Sequence, residues 1–130
     1  MDYQVKSFSG LDRGNYIVVI ARGSVDIVGL AELFDKTADA TRSLLDCKVL
    51  IDLQDAILRI LPSDLGRFFG KFDFTKWPHQ NKTALVSSSE INQYKQLLMV
   101  GENLVQMRLD VGLFYDERDA IKWLSGICGV

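Results

Sequence analysis

Few residues in this 130-residue chain could make or break bonds, and they do not assemble into a constellation on paper. The single histidine, His79, stands beside Pro78 with no second histidine or cysteine at ligand spacing. A general base or a metal centre needs such partners. Cys47 and Cys128 show neither C-x-x-C spacing nor a metal-ligand rhythm. One pair would be a thin disulfide framework for a chain of this size, so both read as thiols in a reducing compartment. Asp26, Asp52 and Asp55 fall near expected strand ends, but nothing in their spacing makes them converge. The chain lacks a Gly-rich phosphate loop, a G-x-S-x-G elbow and an H-E-x-x-H helix. No catalytic residue, metal or cofactor is expected.

Three groups are better suited to binding. Ser63, at the start of an expected helix, would place a phosphate against backbone N–H groups and the helix dipole, and it would serve equally well as a plain N-cap. Ser87 and Ser88, with Asp26 and Asp55, are candidates for a pocket at the carboxyl ends of parallel strands, where ligands gather in open α/β sheets. Capping and loop solubility account for the same residue types. The third group is aromatic. Phe68, Phe72, Phe74 and Trp77 accompany four basic residues (Arg67, Lys71, Lys76, Lys82) and two acidic ones (Asp64, Asp73) in a chain of net charge −2. They are candidates for an apolar-ligand site or an interface. Phe68, Phe69 and Phe72 also fit an ordinary core face. Phe74 and Trp77 lie outside that periodic face.

The elements that must position these groups follow from periodicity. Tyr3, Val5 and Phe8 mark a short strand, Gly10–Gly14 a turn, and Tyr16–Ala21 a buried strand that Gly23 ends. Asp26 caps a helix whose inner face is Ile27, Leu30, Phe34, Thr37, Thr41 and Leu44. Val49–Leu53 is the next strand, in a parallel βαβ unit. Ile57–Leu61 is an apolar stretch in the connection, and Pro62-Ser63-Asp64 opens a helix. Thr83–Val86 is a core strand, followed by Ser87-Ser88-Ser89-Glu90, which matches an S-x-x-E capping box. The helix beyond carries Ile91, Tyr94, Leu97, Leu98 and Val105. Leu109 to Tyr115 alternates as a last strand. Asp116 caps a closing helix that Gly126 stops. A hairpin followed by alternating strands and helices implies an α/β fold: a mixed sheet of about five strands covered by about four helices, in a single domain spanning 1–130.

Three passages carry a family resemblance: Tyr16-Ile-Val-Val-Ile-Ala-Arg-Gly before a helix, Val49-Leu-Ile-Asp-Leu, and Leu113-Phe-Tyr-Asp-Glu-Arg-Asp-Ala-Ile-Lys-Trp-Leu. Together with the element order they resemble the STAS domain, and more narrowly the bacterial SpoIIAA-like family, whose fold is related to lipid-carrying CRAL-TRIO domains. The resemblance implies a small, non-catalytic, often homodimeric module that binds a protein partner or an apolar ligand. Classical anti-sigma-factor antagonists carry a phosphorylated serine in an Asp-Ser-Ser-Gly stretch after the Asp-Leu strand. Here the corresponding region reads Leu61-Pro62-Ser63-Asp64-Leu65-Gly66, which retains Ser63 without that motif.

Composition bounds the rest. Hydrophobic residues make up 48% and charged residues 25%, as in an ordered globular domain. A net charge of −2 gives no field to gather nucleic acid. No apolar run nears the roughly 20 residues that span a bilayer, and the N-terminus has no secretory h-region. A cytoplasmic location is expected.

Overall fold

The computed structural model describes residues 1–9, 14–42, 47–71, 77 and 82–126, with the side chains of Phe8, Phe69 and Lys71 outside the description. The apolar, β-branched runs form a mixed sheet. Strand β1 (Asp2–Ser9) lies antiparallel to β2 (Asn15–Asp26). Beyond β2 come β3 (Cys47–Leu53), β5 (Thr83–Ser87) and β6 (Val111–Phe114), all parallel, in the order β1-β2-β3-β5-β6. A short β4 (Ala56–Arg59) pairs with β2 off this path. The register sets Val5, Val19, Ile51, Leu85 and Leu113 in one row across the sheet. The hairpin turn expected at Gly10–Gly14 lies largely outside the described residues.

Side chains alternate between two cores, as the period of two demands. Val49, Ile51 and Leu53 enter the larger one with α1 (Ile27–Thr41), α3 (Ile91–Gln106) and Phe68 of α2 (Leu65–Lys71). Leu50, Ala84 and Val86 face the other way and meet Ala120 and Leu124 of α4 (Glu117–Ser125). Among the described residues, three helices thus cover one face and one helix the other. Val19 and Ile51, near the middle of their strands, are fully buried.

Three local expectations are corrected. Gly23 does not end its strand: at φ +83° it bends β2, whose first part pairs with β3 and whose last residues, Gly23–Asp26, pair with β4. Glycine takes that conformation without a Cβ clash. The stretch at Ile57–Leu61, expected to be mere connection, contributes β4. Its Ala56 and Leu58 point inward while Ile57 and Arg59 are exposed. The short alternation was hidden inside a longer apolar run. The serine capping box is not formed. The helix begins one turn later, so Glu90 is the N-cap and its carboxylate accepts from Asn92 N (3.0 Å) and Gln93 N (3.1 Å). Ser87 remains the last residue of β5 and donates its hydroxyl to Ser88 O.

Other caps are as read. Asp26 accepts from Gly29 N at 2.8 Å, and Asp116 from Arg118 N at 2.7 Å. Gly126 closes α4 in the left-handed region. The buried face of α1 includes Ile27, Leu30, Phe34, Thr37 and Thr41, while Leu44 lies outside the described residues. The two threonines satisfy their hydroxyls on Leu33 O and Ala38 O, which is why polar residues are tolerated there.

Candidate functional site

The carboxyl ends of the parallel strands bring together some, but not all, of the expected pocket residues. Leu53 is opposite Ser87 in the ladder, so Asp52, Asp55, Ser87 and Ser88 share one edge. Asp52 Oδ1 accepts from Gln54 N at 3.0 Å, and Gln54 Nε2 donates to Tyr115 O at 2.9 Å, tying the end of β3 to the end of β6. The Tyr115 ring stacks on Tyr94 of α3 with centroids 4.3 Å apart. Burial pushes the Asp52 carboxyl above its ordinary value, and the Asp55 charge adds to this. The Gln54 N–H and Arg22 pull the other way.

Asp26 stands apart from that edge. It lies opposite Arg59 at the far end of the bent β2. There it lines a cavity of about 430 Å³ with Met1, Ser24, Val28, Gly29, Glu32 and Arg59, not with Asp55, Ser87 and Ser88. Its carboxylate is already engaged in capping α1.

The aromatic group is divided as well. Phe68 and Trp77 are 1% and 2% exposed and close on Phe34, with ring centroids 5.5 Å and 5.2 Å away. Trp77, outside the periodic face of the helix, nevertheless reaches the core from beyond α2. These two rings pack on Phe34 of α1 within the core and offer no open aromatic face to a ligand. Phe72 and Phe74 lie outside the described residues, as do His79 and Cys128. Ser63 is exposed in the 3₁₀ turn Pro62–Asp64. The cap there is Leu61, whose N–H is accepted by Asp64 Oδ2, so Ser63 is not the N-cap.

The apolar cavity lies elsewhere, between α3 and the edge strand β6. It has a volume of about 400 Å³ and is lined by Leu98, Gly101, Glu102, Val105, Gln106, Val111 and Leu113. The helical residues recur at i, i+3, i+4, i+7 and i+8, one continuous face, and Val111 and Leu113 project to the same side of β6. Sequence periodicity missed this site. It grouped Ile91, Leu98 and Val105 with the other apolar residues of the helix. In fact Leu97, Val100, Gly101 and Leu104 face the core, whereas Ile91, Leu98 and Val105 are 62%, 36% and 52% exposed. The signal that could have found them is their seven-residue spacing, one face apart from the core set.

No family model and no curated protein sequence matches this chain. Among solved structures, it is similar to that of an uncharacterised protein of the DUF3478 family from Shewanella loihica PV-4, described as having a SpoIIAA-like fold. The TM-score is 0.57 and the identity 16%, over 94% of this chain and 93% of that one. Likeness at that identity speaks to architecture, and with the hairpin start, the parallel strands and the four helices already described, it establishes that this chain has a SpoIIAA-like fold.

Proposed function

We propose that this chain is a non-enzymatic binding or regulatory module that engages an apolar partner through the groove between α3 and β6. The observation that carries this reading is the helix face turned outward: Leu98 and Val105 stand exposed over a cavity whose floor is Gly101, Val111 and Leu113. Covering a fully exposed side chain of this kind is worth about 1.5–3 kcal/mol, and Leu98 and Val105 keep a third to a half of their surface for a partner to remove. The carboxylates of the strand ends support a structural use over a catalytic one. Asp52, Asp26, Glu90 and Asp116 each accept a backbone N–H, fixing a turn or a helix start. No helix among the described residues is long and apolar enough to cross a membrane. A reducing, cytoplasmic setting suits the buried Cys47.

The test is a titration of the dilute ¹⁵N-labelled chain with decanoate below its micelle concentration. The reading expects amide shifts confined to Gly101, Glu102, Val105, Val111 and Leu113. Silence there, or shifts gathered around Phe68 and Trp77, would remove it.

A further inference from the structure

The outward face of α3 carries a regular apolar stripe. Ile91, Leu98 and Val105 are spaced by seven, and an α-helix drifts only about 20° per heptad, so the three stay in line on one side. Beside this stripe Gly101 brings the backbone close to the sheet: a Cβ added there would meet Leu85 Cδ1 at 4.0 Å, an ordinary contact. Gly101 lines the groove together with Val111 and Leu113. The charged residues from 90 to 108 are Glu90, Lys95, Glu102 and Arg108 and no others, so the signs alternate along the helix from acidic start to basic end. Reversing that order turns every sign into its opposite.

We propose that α3 docks against α3 of a second copy of this chain, antiparallel, about a two-fold axis near Leu98. The inference rests on the groove reading above and names its occupant. Under that axis Ile91 faces the partner copy's position 105, and Leu98 faces its equivalent across the axis. Lys95 lies three residues before Leu98 and Glu102 four after, so each falls within one residue, about 1.5 Å of rise, of its opposite in the other copy. Glu90 and Arg108, at the two ends, are two residues out of level under the same axis and lie outside the helical span, so they add only a charge of the right sign at each end. A parallel pair would instead set Lys95 level with Lys95 and Glu102 level with Glu102. Lys95 and Glu102 have no ion-pair partner among the described residues of their own chain, so both charges are available. Two antiparallel helices also oppose their dipoles favourably. The interface is isologous, as a closed two-fold dimer requires.

Sedimentation velocity of the full chain over a dilution series tests this. Wild type is expected to dimerise. Lys95→Glu and Glu102→Lys, each replacing two attractions by two repulsions, should each weaken the dimer by about tenfold or more. The double variant Lys95→Glu/Glu102→Lys should restore it. Circular dichroism of each variant verifies that the fold is retained. A chain that stays monomeric up to about 1 mM overturns the proposal. So does a dimer that ignores the single reversals, or single losses that the double variant fails to rescue. The decanoate titration separates the two readings. A monomer whose groove binds decanoate leaves the groove reading standing and assigns the site to an acyl ligand; a monomer with a silent groove removes both.

Discussion

Two borders of the sheet receive opposite treatment from one helix. At β4, α3 supplies side-chain amides in place of a neighbouring strand. Gln93 Oε1 accepts from Leu58 N, Gln93 Nε2 donates to Leu58 O at 3.3 Å, and Gln96 Oε1 accepts from Ile60 N at 2.7 Å. Both backbone groups of Leu58 are thereby satisfied without a strand, and no free ladder is left there to recruit one. At β6 the same helix turns apolar side chains toward the edge and leaves a groove. Among the described residues β6 pairs with β5 alone. Helix α3 therefore has three faces: an amide face that seals one border, an apolar face in the core, and a second apolar face that is left outward. Sealing consumes polar groups, whereas docking needs uncovered apolar ones. The contrast leaves β6 as the border with uncovered apolar side chains beside it.

That contrast can be broken at its base or at either border. The largest effect should come from the strands that support both. Ile51→Ala should lower stability by about 2–4 kcal/mol through lost burial and the cavity left behind, read from urea denaturation. Gln93→Ala comes next. It strands the N–H and C=O of Leu58 and should cost about 1–3 kcal/mol, with faster hydrogen exchange at Leu58 while the amides of β6 keep their rates. Gly23→Ala should cost about 1–2 kcal/mol, because a Cβ strains the left-handed backbone that swings β2 from β3 to β4. If it left stability and the β4 amides unchanged, the bend would not be what positions the sealed border.

The smallest effect concerns Asp52, beside the link between the two regions. Its carboxyl sits above the ordinary value of 3.8, mainly through burial. The folded state therefore holds the proton more tightly than the unfolded chain. That contribution is fully present below 3.8 and is lost as pH rises through the folded value. Asp52→Asn should gain stability relative to wild type as pH climbs out of the acid range, read as diverging urea midpoints. Parallel midpoints would mean that the fold does not disfavour the charged carboxylate.

Much of this architecture could be read from residue order, because most of it rests on strong local periods. Thr83–Val86 is buried on both faces and Tyr16–Ala21 and Val49–Leu53 nearly so, and short continuous apolar runs announce such strands. The helices following Asp26 and Asp116 were legible from their caps. What escaped depended on tertiary context. Gly23 looks like a terminator until β4 exists to receive the bent strand. Glu90 looks like the third residue of a capping box until β5 is seen to claim Ser87. Trp77 lies outside any periodic face, so only packing on Phe34 shows where it goes. The groove was missed for the converse reason: Leu98 and Val105 fit a helical apolar pattern, and a pattern does not say which apolar face meets the sheet. The pocket expected of Asp26, Asp55, Ser87 and Ser88 assumed that all strand ends meet. The bend at Gly23 carries Asp26 away from the rest.

The proposed docking surface is the outer face of α3 together with β6. Methyl NMR of the wild-type chain across a dilution series addresses it most directly. Leu98, Val105 and Leu113 methyls should move with concentration while those of Leu50 and Val86, in the opposite core, stay fixed. Invariant groove methyls at every concentration, with movement at another surface, would contradict it.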